Sequence, residues 1–239
     1  METVKKPHTD RVYDAELSQV RDRILVMAGR VEDMIGDAIR ALCDRDRELA
    51  ARTIELDHKV NRAEMETDEL CLRILARRQP MASDLRFLTL ALKMVTDLER
   101  IGDLAVNICE RAMDLVDETR LEGADTLVRM AAVVQHMVHD AIDAFVRGDA
   151  VLAQAVIDRD DEVDELYHVY FRAVLAVMQG GPDAVERGIH IQSVAKWLER
   201  IGDHATNLAE LVIFLVQGRD VRHVGKLDTD TPQHRQSKP

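Results

Sequence analysis

A segment near the middle of the chain recurs almost unchanged one hundred residues later. Residues 98–107 read LERIGDLAVN and residues 198–207 read LERIGDHATN. Weaker matches precede both copies, at an offset of 103. Self-similarity at a fixed spacing indicates a chain built from repeated structural units. The sequence therefore predicts a tandem duplication, with one unit at 12–116 and a second at 120–217.

Within each unit the apolar residues follow the spacing of an α-helix. Leu85, Leu88, Leu92, Val95 and Leu98 recur at intervals of three and four residues, and no alternating strand pattern competes. Breaks at CDRDREL and RRQPM in the first unit, and at RGDAVL and QGGPD in the second, divide each unit into three. We predict an all-α fold of six long helices, about 30 residues each, forming two up-down-up three-helix bundles.

Single residues predict where the helices begin and end. Aspartate stabilises a helix start, glycine favours a helix end, and proline is tolerated in the first turn. The predicted start markers are Asp46, Asp149, Pro80 and Pro182, and the predicted end markers are Gly148 and Gly218. Residues 218–239 are polar, which predicts a loose C-terminal tail.

The composition excludes several classes of protein. A formal net charge of −12 argues against nucleic-acid binding and suits cations or basic protein surfaces. No apolar run approaches the roughly 20 residues of a membrane span, and the N-terminus lacks the apolar core of a secretion signal. Three separated cysteines form no CxxC motif, so no zinc-thiolate site is indicated. We expect a cytoplasmic protein that reaches the inner membrane face only through its partners.

The repeated segment places acidic and amide side chains along one face of the third helix of each unit, at i, i+4 and i+8. Two carboxylates at i, i+4 repel each other by a few tenths of a kcal/mol. Retention of this pair in both copies suggests compensation by a bound cation. The side chains concerned are Glu99, Asp103 and Asn107 in the first copy, and Glu199, Asp203 and Asn207 in the second.

The second helix of each unit carries a matching element. Asp57 and Asn61 are four residues apart in the first unit, and Asp160 and Asp164 are four apart in the second. Antiparallel packing could bring these side chains beside the third-helix carboxylates. All-oxygen ligand sets suit hard cations such as Mg²⁺, Mn²⁺ or Ca²⁺, and also iron. The alternative is a solvated acidic stripe paired with arginines.

Other features are less specific. Gly102 and Gly202 interrupt the third helices at a cost of about 1 kcal/mol each relative to alanine, which a closely packed helix or a ligand would explain. Glu165 and His168 form one ExxH motif, whereas carboxylate-bridged di-iron bundles need two. No phosphate loop or nucleophile–base set stands out, so we expect a protein that is not an enzyme.

Two stretches carry a family resemblance. Residues 77–110, RRQPMASDLRFLTLALKMVTDLERIGDLAVNICE, and residues 198–225, LERIGDHATNLAELVIFLVQGRDVRHVG, resemble the PhoU family, the phosphate-transport accessory and regulatory proteins of bacteria. The resemblance extends from about Tyr13 to Gly225. It implies two tandem three-helix bundles and a homodimer or larger oligomer.

The resemblance also implies a function. It predicts a negative regulator of the phosphate-starvation response that modulates phosphate uptake. Such a protein would be an adaptor between the ATPase subunit of the phosphate ABC transporter and a membrane sensor histidine kinase. The alternatives from the sequence are a metal-binding or storage bundle and a metal-free structural scaffold.

Some members of the family hold iron or zinc clusters on the acidic motifs. By position this implies Glu99 and Asp103 with Asp57 and Asn61, and the corresponding four residues of the second unit. The sequence leaves the metal open among Fe, Zn, Mn and Mg. Because Asn61 stands where the second unit has an aspartate, the first site is expected to be the weaker one.

Overall fold

The computed structural model of the protein describes residues 11–117 and 123–219, and over these ranges it contains six α-helices and no β-strand. The helices are α1 (Arg11–Asp44), α2 (Arg47–Arg78), α3 (Ala82–Asp114), α4 (Ala124–Arg147), α5 (Ala150–Met178) and α6 (Pro182–Gln217). The predicted all-α class with six helices is confirmed. Residues 118–122 and 220–239 lie outside the described ranges, so the predicted unit boundaries and tail stay predictions.

Most of the predicted helix ends are correct. Asp46 accepts a hydrogen bond of 2.9 Å from a first-turn amide of α2, and Asp149 accepts two such bonds in α5. Pro182 is the first residue of α6. Gly148 and Gly218 end α4 and α6 with positive φ angles of 64° and 69°, a conformation that glycine adopts without steric cost.

Two details differ from the prediction. Gln79 leaves α2 with a φ of 47° and Met81 is the N-cap of α3, so Pro80 lies before the first turn rather than within it. Helix α4 has only 24 residues. It begins after Gly123, where the ring of Tyr170 lies 2.9 Å from the position that a Cβ would take.

Helices α1, α2 and α3 pack on one another as the first bundle, and α4, α5 and α6 pack as the second. The bundles join where α3 runs along α6 and α1 along α4. Asp97 accepts a hydrogen bond from the ring of His204 at 2.9 Å, and Arg86 donates to the carbonyl of Leu215 at 3.3 Å, so α3 and α6 are antiparallel. Helices α2 and α5 contact only helices of their own bundle.

The core runs through both bundles without a break and is largely aliphatic. Cys71 and Cys109 are buried within it and Cys43 is half-buried, all three as free thiols. None of the described helices has a stretch that is both long and apolar enough to cross a membrane.

Two acidic faces as the candidate functional site

Carboxylates of α2 and α3 gather on one side of the first bundle. Burial raises the pKa of Asp57, and the negative charge of Asp103 raises it further. Burial is also the main reason for the raised pKa of Glu99, followed by the charges of Asp103, Glu64 and Asp57. Each carboxylate therefore disfavours the ionisation of its neighbours. We call this group the first acidic face, formed by Asp57, Asn61, Glu64, Asp68, Glu99 and Asp103.

Several oxygen atoms of the first acidic face lack a hydrogen-bond donor. The amide nitrogen of Asn61 donates to one carboxylate oxygen of Asp57 at 2.8 Å. The other oxygen of Asp57, the amide oxygen of Asn61 and one oxygen of Asp68 are buried without a hydrogen-bond partner. A buried acceptor without a partner costs about 1–3 kcal/mol, so these oxygens are short of donors. The charge of Arg100 lowers the pKa of Glu99 and Glu64 but does not outweigh burial and the neighbouring carboxylates.

The glycines in the repeated segment lie beside these oxygens. A Cβ at Gly102 would lie 3.5 Å from Val60 and 3.7 Å from the unpaired oxygen of Asp57, which is ordinary contact. At Gly202 the nearest carboxylate oxygen, from Asp160, would be 3.5 Å away. Because alanine would fit, tight helix packing does not explain the glycines. Both leave open a small space next to a carboxylate.

The second bundle carries the corresponding second acidic face, formed by Asp160, Asp164, Glu199 and Asp203. Burial raises the pKa of Asp160 to about 6, with further contributions from Asp203, Asp164 and Glu199. Burial and then the charge of Glu199 raise the pKa of Asp203. Here a cation is already present, because the ammonium of Lys196 lies 2.5 Å from Glu199.

The structure brings together eight of the ten predicted site residues, as two groups of four. No described hydrogen bond or ion pair joins Asn107 or Asn207 to the carboxylates. Sequence reasoning missed Glu64, Asp68 and Lys196. The first two could have been found, because they follow Asp57 and Asn61 at intervals of three and four on the same face of α2.

The side chains of the two acidic faces do not form a metal-coordinating arrangement in this structure. Within the described ranges, no group of three or more His, Cys, Asp or Glu side chains could hold a metal in its present conformation. Binding at the first acidic face would therefore require side-chain rotation. The potential ligands of this face are nevertheless oxygen atoms, several of them without a hydrogen-bond partner, and hard cations prefer oxygen ligands. Glu165 and His168 are exposed on α5.

Comparison with known proteins explains why this arrangement occurs twice. Residues 24–112 and residues 127–212 each match the model of the PhoU domain. The chain belongs to the PhoU family. Both acidic faces lie within the matched stretches, so each PhoU domain of this chain contributes one.

Individual PhoU proteins resemble the chain over most of its length. The phosphate-specific transport system accessory protein PhoU homolog of Pseudomonas aeruginosa is 46% identical over 219 residues, which cover 91% of this chain and 90% of the relative. The crystal structure of PhoU from Pseudomonas aeruginosa is 45% identical, has a TM-score of 0.84, and is matched over 100% of its length and 87% of this chain.

The fold extends to more distant PhoU proteins. The crystal structure of the phosphate transport system regulatory protein PhoU from Streptococcus pneumoniae is 27% identical. It matches with a TM-score of 0.81 over 87% of this chain and 99% of its own. The tandem bundle architecture is thus that of PhoU structures.

Proposed function

We propose that this protein is an accessory protein of the phosphate-specific transport system and a negative regulator of the phosphate-starvation response. The observation that supports this most strongly is the 46% identity to a named accessory protein over 91% of the chain. The similarity extends over both bundles.

The proposed mechanism is that of an adaptor without catalytic activity. One partner is the ATPase subunit of the phosphate ABC transporter, and the other is a membrane sensor histidine kinase. Helices α2 and α5 support this proposal, because each packs only within its own bundle and leaves a long outer face available to partners. The protein would work in the cytoplasm, at the inner membrane face, as a homodimer or larger oligomer.

A hard cation at the first acidic face is part of the proposal. Asp57, Glu99 and Asp103 would hold it, with the amide oxygen of Asn61. The unpaired oxygens of Asp57 and Asn61 and the open space beside Gly102 support this assignment. The ion would neutralise carboxylates that now repel one another, and so fix the outer surface of α2 and α3 that a partner contacts.

The second acidic face is a less favourable cation site, since Lys196 already pairs with Glu199. This ranking is the opposite of the one that Asn61 suggested from the sequence. An iron-storage function receives no support from the exposed Glu165 and His168, since the first bundle has no second motif of this kind. A metal-free scaffold differs from the proposal in one testable respect, namely that loss of the carboxylates would leave its function unchanged.

The test is alkaline phosphatase output in phosphate-rich medium, in a strain that lacks its own family member. The strain carries the wild type or a variant with Glu99→Ala, Asp103→Ala, Glu199→Ala and Asp203→Ala. The matched control carries Glu48→Ala and Glu69→Ala, two carboxylates of α2 that are 82% and 75% exposed. Circular dichroism confirms that each protein folds.

We expect the wild type and the control to repress, and the four-residue variant to lose repression. Equal repression by all three proteins would support the regulator and reduce the acidic faces to a structural role. Failure of the wild type to repress would contradict the proposed function. Failure of a kinase deletion to relieve repression would contradict the adaptor mechanism.

A further inference from the structure

On the outer side of the second bundle α5 and α6 pack side by side, and we call the line along which their exposed side chains meet the groove. Three contacts set how these antiparallel helices face each other: Asp160 lies beside Gly202, Lys196 lies over the ring of Tyr167, and Met178 lies against Gly188. In each pair the two residue numbers add to nearly the same value. The pairs at Lys196 and Gly188 bracket the stretch between them, and so show which other side chains of the two helices face one another there.

One end of the groove is apolar and exposed. Phe171 and Leu175 on α5 are 39% and 44% exposed, and Val185 and Ile189 on α6 are 40% and 57% exposed. Tyr167 begins the row, with its ring stacked on that of Phe171 at a centroid distance of 6.4 Å. Tyr167, Phe171 and Leu175 are spaced by four residues, and the register places Ile189 opposite Leu175. We call these five side chains the apolar groove.

The other end of the same groove is negatively charged, because the row from Leu175 to Tyr167 continues into the second acidic face. Lys196, at the junction, pairs with Glu199. Among the described contacts no ion pair engages Asp160, Asp164 or Asp203. The surface therefore changes from apolar to acidic along a single line.

We infer that this groove binds an amphipathic helix of a partner protein, with the partner's apolar face on the apolar groove and its basic end on the second acidic face. Complementary charge selects such a partner and fixes its direction. From Leu175 to Asp160 the line is roughly 22 Å long at 1.5 Å per residue, so the partner helix needs about four turns. The biological meaning of the contact depends on the adaptor function proposed above.

Other occupants fit the groove less well. A second copy would place one acidic face either on another acidic face or on apolar side chains, and both arrangements leave charge uncompensated. An anionic lipid surface would be repelled by the three unpaired aspartates. A basic amphipathic helix satisfies both ends at once.

The first bundle provides an internal contrast. The positions that correspond to Tyr167, Phe171 and Ile189 are occupied there by Glu64, Asp68 and Thr89. The positions that correspond to Leu175 and Val185 are occupied by Leu72 and Leu85, which are exposed as well, at 59% and 44%. The two aromatic rings and Ile189 are therefore particular to the second bundle, and binding at α2–α3 would keep only part of the apolar contribution.

The experiment uses the full-length protein and three labelled 18-residue peptides, followed by fluorescence anisotropy. The first peptide is a designed helix with leucines on one face and four lysines at one end. The second peptide has glutamates in place of the lysines, and the third is a scrambled version of the first. The variants are Phe171→Glu, the milder Leu175→Ala, and the charge reversal of Asp164→Lys with Asp203→Lys. The matched control is Val151→Glu, at an 81% exposed site in the first turn of α5.

We expect the lysine peptide to bind the wild type and the Val151→Glu control equally. Phe171→Glu should weaken binding at least tenfold and Leu175→Ala several-fold. The charge reversal should transfer the preference to the glutamate peptide. The inference is overturned if the lysine peptide binds no better than the scrambled one, or if these variants have no effect. It is also overturned if sedimentation shows a dimer that Phe171→Glu dissociates, since a second copy would then occupy the groove.

The phosphatase reporter separates this inference from the proposed function. Repression by the wild type without selective peptide binding would overturn the groove and leave the proposed function standing. Selective peptide binding that follows the charge reversal, without repression by the wild type, would support the groove and contradict the proposed function. Thermal melting of each variant confirms that a loss of binding is not a loss of fold.

Discussion

The two acidic faces share the carboxylates of the repeated segment but differ in the residues around them. In the first face Glu64 lies beside Thr96, and Glu64 adds to the negative charge around Glu99. In the second face the corresponding residues are Tyr167 and Lys196. The ammonium of Lys196 lies 5.5 Å from the centre of the Tyr167 ring while it pairs with Glu199.

This difference shows that the repulsion between the repeated carboxylates is compensated differently in the two bundles. The second face holds part of its counter-charge within the chain, through Lys196. The first face retains buried acceptors on Asp57 and Asn61 that no donor satisfies. We therefore propose an exogenous cation for the first face and a basic protein partner for the second.

The largest expected effect concerns which face binds the cation. Asp57→Asn with Asp103→Asn should weaken Mn²⁺ binding about 100-fold, since the charge count of the ligand set controls affinity for hard cations. Asp160→Asn with Asp203→Asn should weaken it less than about threefold. Isothermal titration calorimetry on metal-free protein measures both.

The control for this comparison is the stability of the metal-free variants. Neutralising either pair relieves repulsion between carboxylates, so neither metal-free protein should lose stability. Equal losses of affinity, or a larger loss at the second face, would contradict the assignment of the cation to the first.

Much of this arrangement could be predicted from the sequence. The duplication, the six helices and the aspartate and glycine helix ends are local signals, and they were correct because each depends on a few neighbouring residues. The proximity of Asp57 to Asp103 also followed, because antiparallel helices within one bundle leave few ways to pair the two rows. The early start predicted for α3 was wrong, because Gln79 turns the chain out of α2 and two more residues follow before α3 begins.

What escaped prediction depends on packing between distant segments. The pair of Asp97 and His204 is nearly buried at the junction of the bundles, with exposed fractions of 14% and 11%. In the repeat these positions correspond to Trp197 and Leu104, so periodicity gives no sign of the pair. Lys196 is different, since it lies three residues before Glu199 on the same helix and its pairing is a local signal that the sequence analysis missed. Asymmetry between the repeats is visible in the sequence, but its consequences depend on how the helices pack.

A smaller effect should follow from exchanging one residue between the faces. Lys196→Thr gives the second face the residue of the first, and should raise its Mn²⁺ affinity about tenfold by removing a competing positive charge. Thr96→Lys should lower the affinity of the first face by a similar factor. Each exchange is the matched control of the other, and titration calorimetry measures both.

If Lys196→Thr and Thr96→Lys changed Mn²⁺ affinity in the same direction, the proposed difference between the two faces would be contradicted. It would also be contradicted if Lys196→Thr left the second face without measurable Mn²⁺ binding. Lys196 would then not be what distinguishes the two faces.

The smallest expected effect is on stability, and its sign follows from the raised pKa of Asp160. The pKa of this carboxyl is about 6 in the folded protein and 3.8 ordinarily, so folding favours its protonated form. The stabilising contribution of that proton is complete below about pH 4 and is lost as the pH rises through 6. After allowance for solvent screening, the loss amounts to roughly 1 kcal/mol.

Asp160→Asn should therefore raise the free energy of unfolding in urea at pH 7 relative to wild type, and should change it little at pH 4. The exposed Glu48→Gln should have no effect at either pH. If Asp160→Asn instead lowered stability at pH 7, the ionised carboxylate would have a counter-charge in the metal-free protein. The second face would then already be balanced without a partner, and the reason for expecting a basic helix there would be removed.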